Sequence, residues 1–137
     1  MVYSMTTRHP ASCGPEQVWD VLLDYASYPE FMTGVNEVEI LDDEQGRRTS
    51  SWVVELKGSE MEWEQEDLIS IETRRIEFRQ TDGDLAVYHG YWQVHPDALE
   101  LSVLFDIGMP LVAEMIHPAV AKALEGYAGS VVARAEQ

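Results

Sequence analysis

Basic residues are scarce in this chain. Nine lysines and arginines stand against 25 aspartates and glutamates, a formal net charge of −16 at pH 7 and a pI near 4.3. A nucleic-acid-binding protein neutralises phosphates with clustered Lys and Arg, and no such cluster exists here, so that class is excluded. Electrostatic docking on an anionic membrane is disfavoured for the same reason. The acidity suits a solvated surface, or a basic partner at most. Cysteine is nearly absent: Cys13 stands alone, which excludes an intrachain disulfide framework and a Cys-rich zinc site, and reads as an incidental loop thiol. No apolar run approaches the roughly 18–20 residues of a membrane span. No charged segment followed by an apolar core opens the chain, so there is no secretion signal and the expectation is a soluble cytoplasmic protein. The histidines His9, His89, His95 and His117 lack metal-ligand spacing. There is no GxSxG, no HExxH and no glycine-rich phosphate loop, and Ser50, Ser51 and Ser102 have no evident His and Asp partners. The sequence calls for no metal and no cofactor.

What is present is an ordinary globular composition: 137 residues, 45% hydrophobic, with four Trp, six Tyr and three Phe. That length predicts one domain, residues 1–137, able to bury a core. Residues 2–8 are rich in β-branched and aromatic types and predict a first strand. Pro15 suits a first helical position, and Val18, Trp19, Leu22 and Leu23 form one apolar face of the helix that follows. Ser27 predicts the cap of a second short helix over 27–32. From Val35 the period changes to two. Val35–Leu41, Thr49–Lys57, Glu60–Ile71, Arg74–Thr81, Ala86–His95 and Ala98–Ile107 read as strands separated by short turns, hence antiparallel hairpins. Leu111–Ala133 reads as a long helix that Pro118 should bend or start. The class is α+β: a strongly curved seven-stranded antiparallel sheet with a long C-terminal helix across it and two short helices after strand 1.

Strand alternation sorts the side chains. In Glu60–Leu68, Met61, Trp63, Gln65 and Asp67 share one face, while Glu60, Glu62, Glu64 and Glu66 share the other. The apolar members fix the first face as inward. The same rule turns inward Trp52, Val54 and Leu56; Ile76, Phe78 and Gln80; Tyr88, Gly90, Trp92 and Val94; and Leu101, Val103 and Phe105. The external glutamates then lie across from Lys57, Arg75 and Arg79, as cross-strand pairs on a wet face. Gly90 leaves space inside or permits strong bending. An apolar enclosure with a few polar groups is the character of a small-molecule site; a filled core whose polar groups satisfy one another is the other reading. Asp67 likewise has two readings. Enclosed, its pKa rises and it can move protons at a carbonyl α-carbon. At the strand end, it is solvated or paired with Arg74. Tyr88 and Gln80 can hydrogen-bond a phenol or carbonyl, and His117 could serve as acid or base if it faces the interior.

The stretch PEQVWDVLLDYASYPEFMTGVNEVEIL at Pro15–Leu41, the strand GYWQV and the helix after FDIGMP resemble the START-like (SRPBCC) superfamily of polyketide cyclases and lipid-transfer proteins. The resemblance covers almost the whole chain. Within it, the single-domain aromatase/cyclases and the coenzyme-Q-binding and ribosome-associated branch are most similar; a net charge of −16 disfavours contact with RNA. It implies a helix-grip, Bet v 1-like fold in which the sheet embraces the C-terminal helix around a deep pocket. It implies a poly-β-ketone tethered to an acyl carrier protein as substrate, with aldol closure and dehydration directed by pocket groups that include arginines. Those arginine positions fall near Asp67 and near Lys57–Ser59, where this chain has none. It also implies that Tyr28 and Phe31 line the pocket mouth.

The expectation is therefore a cyclase/aromatase-like protein in natural-product biosynthesis that holds an aromatic or poly-ketone intermediate. Asp67 would transfer protons, and Gln65, Gln80 and Tyr88 would orient carbonyls. Tyr28, Phe31, Trp52, Trp63, Phe78, Gln80, Trp92, Phe105 and Met115 are the expected ligand contacts. The alternative is a protein that carries or sequesters an aromatic natural product, quinone or lipid without changing it. An acyl carrier protein is the partner the resemblance implies, although the chain's own acidity favours a free ligand.

Overall fold

The computed structural model describes residues 2–108 and 110–137, and the side chains of all of these except 110–115. The chain opens with strand β1 (Tyr3–Pro10), followed by helix α1 (Pro15–Leu23), a 3-10 turn (Tyr25–Ser27) and helix α2 (Tyr28–Phe31). Six strands follow: β2 (Val35–Glu44), β3 (Arg47–Leu56), β4 (Ser59–Ser70), β5 (Arg75–Gly83), β6 (Val87–Val94) and β7 (Ala98–Asp106). Helix α3 (Pro110–Ala135) closes the chain. The strands form one antiparallel sheet in the order β1-β7-β6-β5-β4-β3-β2. Only β1 departs from a meander, by crossing to pair with β7.

Local chemistry explains these elements. Pro15 starts α1 where its missing N–H costs nothing, and the Gln17 side chain accepts a hydrogen bond from the Gly14 N–H at 2.9 Å. Val18, Trp19 and Leu22 give α1 its buried face. Lys57 and Gly58 join β3 to β4 with φ of 53° and 79°, the left-handed pair that a two-residue hairpin turn needs. Register shifts in β2 and between Glu64 and Gln65 of β4 bend the sheet. Gly90 lies where β6 meets β7: a Cβ there would fall 2.0 Å from the Ser102 carbonyl oxygen. The missing side chain therefore serves a close approach of the β7 backbone, a role beside the two expected of it.

Helix α3 lies across β1, β7 and α1. Among its described side chains His117, Leu124, Ala128, Val131, Val132 and Ala135 are buried, and their separations of seven, four, three, one and three residues keep them on one helical face. The helix runs through Pro118 rather than starting there. Ser27 also differs from expectation. Its hydroxyl donates back to Asp24 Oδ2 at 2.6 Å instead of capping α2. At the other side of the sheet, β2 is an edge strand, and most of it is exposed. On the outer face Glu66 sits between Arg47 and Arg79, at 3.5 and 3.7 Å. His95 and Tyr91 both bond Glu100 there, at 2.7 and 2.6 Å.

Candidate functional site

Three successive cross-strand pairs of β3 and β4 build the site on the inner face: Trp52 opposite Trp63, Ser50 opposite Gln65, and Arg48 opposite Asp67. The two indoles are parallel to within 3°, with centroids 6.0 Å apart. The Trp52 N–H donates to Ser50 Oγ at 2.9 Å, and the Ser50 hydroxyl donates to Asp67 Oδ2 at 3.0 Å. The Trp63 N–H donates to Gln65 Oε1 at 2.8 Å, and the Gln65 amide donates to Asp67 Oδ1 at 2.7 Å. An indole N–H can only donate, so the polarity of both chains is fixed and runs toward the carboxylate. The Tyr25 hydroxyl gives the carboxylate further hydrogen-bonding support.

Asp67 is fully buried, and Arg74 instead meets Glu16 at 3.6 Å, so the solvated or Arg74-paired reading of Asp67 is corrected. Burial raises its pKa to about 6, against the pull of the hydrogen bonds from Gln65, Ser50 and Tyr25 and the charge of Arg48. The carboxyl is thus poised to change charge near neutrality.

Arg48, like Tyr25, is a residue the sequence reading missed. It is 9% exposed, its Nη1 donates to the Leu23 carbonyl at 2.7 Å, and its Nη2 reaches Asp43 at 3.1 Å. Its guanidinium lies 4.6 Å from the centroid of the Tyr25 ring. The Tyr28 hydroxyl donates to the neighbouring Leu22 carbonyl. A cation and a phenol therefore satisfy the C-terminal carbonyls of α1 and fasten that helix over the site. Burial raises the pKa of Tyr25, Tyr28 and Tyr88, so all three phenols stay neutral.

Two small internal cavities adjoin this network. One, of about 30 Å³, is walled from the sheet side by Trp52, Val54, Trp63, Gln65, Phe78, Tyr88, Trp92 and Leu101, and from the helical side by Tyr25, Tyr28, Met32, Leu124 and Tyr127. The other, of about 40 Å³, lies toward Met61, Leu85, Phe105 and Val120 and shares Val54, Trp63, Tyr88, Leu124 and Tyr127 with the first. Each has room for a few waters, far below the roughly 300–1,000 Å³ of a typical ligand pocket. The closed interior thus lies between the two expected readings: aromatic packing fills most of it. A third, open groove of about 610 Å³ runs outside, between the β3–β4 turn, Thr33 and Gly34, and the exposed side of α3. Tyr127 lines the groove and both cavities, and Leu56 and Ala123 line the groove and the second cavity, so these three residues lie between the outside and the interior.

Of the expected contacts, Tyr28, Trp52, Trp63, Gln65, Phe78, Tyr88 and Trp92 meet at the first cavity and Phe105 at the second. Asp67 does not line either; it stands one layer behind, reached through Gln65 and Tyr25. Gln80 is turned to structure, its amide bonded both ways to the Leu85 backbone at 2.7 and 3.2 Å. Phe31 packs edge-on against Tyr28 at 5.8 Å, beneath Arg134 at 5.2 Å, outside the cavities. The Met115 side chain lies outside the described residues. His117 is buried away from this network, against Tyr3 at 3.8 Å and Phe105 at 5.3 Å. Its Nε2 accepts the Ile107 N–H at 3.4 Å, and burial lowers its pKa. Among the described residues no cluster of His, Cys, Asp and Glu could hold a metal, and no helix is long and apolar enough to cross a membrane.

A family model described as polyketide cyclase/dehydrase and lipid transport matches residues 12–134. No curated protein matches the chain by sequence. Among solved structures, TTHA0849 from Thermus thermophilus superposes with a TM-score of 0.92 at 20% identity, covering 98% of this chain and 97% of that one. The Zhui aromatase/cyclase from Streptomyces sp. R1128 gives 0.88 at 20% identity, covering 99% and 94%. Ginseng major latex-like protein 151 from Panax ginseng gives 0.77 at 11% identity, covering 98% and 97%. At these identities the likeness is one of fold.

Proposed function

Because the chain belongs to the polyketide cyclase/dehydrase and lipid-transport family, we propose that it takes an aromatic or poly-ketone intermediate between the sheet and α3 and promotes its ring closure and loss of water. The observation that carries this reading is the buried carboxyl of Asp67, raised to about 6 and joined to the cavity-lining Tyr25. Aldol closure releases one proton from an α-carbon and takes one up on the new hydroxyl, so it needs a proton shuttle rather than a net donor. A carboxyl that changes charge near neutrality is such a shuttle. The Tyr25 phenol oxygen touches the substrate and takes the α-carbon proton as its own proton passes to the ionised Asp67 behind it; the reverse transfer through the same pair delivers a proton to the new alkoxide oxygen. Gln65 orients a second carbonyl. The aromatic walls hold the chain folded, which brings the reacting carbons together. Ligand entry requires lining side chains such as Tyr127 to move, since the cavities measure only about 30 and 40 Å³.

A second reading is binding without chemistry. It is favoured by the position of Asp67, which no cavity touches directly. One experiment separates the two. The purified protein is mixed with linear poly-ketone mimics, polyketide-like aromatics and quinones, and whatever is bound is extracted for mass spectrometry. A bound poly-ketone recovered minus water supports the enzyme. A compound recovered unchanged supports the carrier. Binding of none overturns both.

A further inference from the structure

All seven arginines of the chain stand within 4.0 Å of an acid: Arg8 with Asp97, Arg47 and Arg79 with Glu66, Arg48 with Asp43, Arg74 with Glu16, Arg75 with Glu77, and Arg134 with Glu30. The two lysines differ. Neither Lys57 nor Lys122 has an ion-pair partner among the described residues, and both line the same open groove beside Tyr127. Their placement comes from separate elements. Lys57 is held by the β3–β4 turn, where its φ of 53° is a conformation that a side-chain-bearing residue rarely adopts. Lys122 projects from α3. Thr33 and Ser130 add hydroxyl donors to the wall, and Glu55 is the one acid among the lining residues.

We infer that Lys57 and Lys122 form a site for the anionic end group, a carboxylate or phosphate, of a ligand whose apolar part passes Tyr127 into the interior. The inference rests on the proposed reading that the cavity accepts a ligand, and it names the chemistry of that ligand's outer end. A net charge of −16 would repel an anion at long range. At physiological salt that field is screened beyond about 8 Å, so the charges lining the groove dominate within it. Two ammonium groups without acid partners, at the rim of an aromatic interior, fit an amphiphile with one negative end.

The test uses two fluorescent probes that share an N-phenylnaphthylamine skeleton: the anionic 1-anilinonaphthalene-8-sulfonate and the neutral N-phenyl-1-naphthylamine. Each is titrated into the native chain and into Lys57→Gln, Lys122→Gln and the double variant. Both positions are exposed, so circular dichroism should be unchanged. The expected result is weaker binding of the sulfonate by roughly 3–5-fold per lysine, with the neutral probe unaffected and the difference erased in high salt. Displacement by 2-naphthoate or by 2-naphthyl phosphate then tells a carboxylate end from a phosphate end; displacement by neither overturns the site. If the neutral probe binds and the lysines make no difference to the sulfonate, the anion site fails and the cavity reading survives. If neither probe binds, both fail.

Discussion

Trp52 and Trp63 stack in parallel across β3 and β4, and their N–H groups feed, through Ser50 and Gln65, the two oxygens of one carboxylate. Every donor in this arrangement points inward to Asp67, so the network is complete when Asp67 is ionised. Burial opposes that ionisation. The balance of the two places the carboxyl near pH 6, and several outcomes depend on it.

Asp67 should make stability depend on pH. Its folded pKa of about 6 lies above the ordinary aspartate value of 3.8, so the native state binds the proton more tightly than the unfolded chain does. Stability from this group is full below pH 4 and is lost as pH rises through 6, by about 3 kcal/mol. Urea unfolding at pH 4.5, 5.5 and 7 should show that Asp67→Asn removes this share of the slope. An identical slope in both proteins would refute the assignment.

Arg48→Met should raise the pKa of Asp67, because it removes the neighbouring positive charge, and should leave the Leu23 carbonyl without its donor. A loss of about 3 kcal/mol is expected from breaking a buried charged contact. Carbon-13 titration of the Asp67 carboxyl reads the first effect and urea unfolding the second.

Trp63→Phe keeps an aromatic ring in the stack but deletes the N–H that satisfies Gln65 Oε1. The expected cost is about 1–2 kcal/mol, with retained binding of neutral aromatic probes. Trp63→Ala should lose both stability and binding. Thermal unfolding and probe titration distinguish them.

Tyr127→Ala should join the outer groove to the inner cavities. Neutral aromatic ligands are then expected to bind faster, by stopped-flow fluorescence, at a stability loss of about 3 kcal/mol from the missing ring. Unchanged association would show that Tyr127 does not limit entry.

Gly90→Ala tests the sheet. A methyl group would fall 2.0 Å from the Ser102 carbonyl oxygen, and β6 cannot accept it without moving off β7. Destabilisation of about 3 kcal/mol or more is expected in thermal unfolding.

The fold was legible because its signals are periodic. Alternation from Trp52 to Phe105 sorts the inner and outer faces without knowledge of pairing, and short turns between strands leave a meander as the simplest connection. The site was legible only in part. The rule that turned Trp52 and Val54 inward also applies to Ser50 and Arg48, but β3 begins at Arg47 rather than Thr49, so Arg48 fell outside the strand as read. Strand ends are set by pairing with β4, which local sequence does not encode. Gln80 and Phe31 have the right residue types and, for Gln80, the right face, yet Leu85 and Arg134 claim them through contacts from other elements. Tyr25 gave no periodic signal because it sits in a single 3-10 turn. Its role follows from the tertiary placement of that turn over Asp67.

The exposed margin of the sheet has a consequence for life at high concentration. Along β2, Glu37, Glu39, Asp42, Asp43 and Glu44 crowd a strand whose outer hydrogen-bonding groups have no neighbour in the sheet. A second molecule approaching to extend the sheet would bring its own acids against them, and the encounter would be repelled before backbone pairing could begin. The net charge of the whole chain falls to zero near its pI of about 4.3, and the repulsion between molecules falls with it. Crowded solutions should therefore stay clear at neutral pH and turn cloudy on mild acidification, while each molecule remains folded.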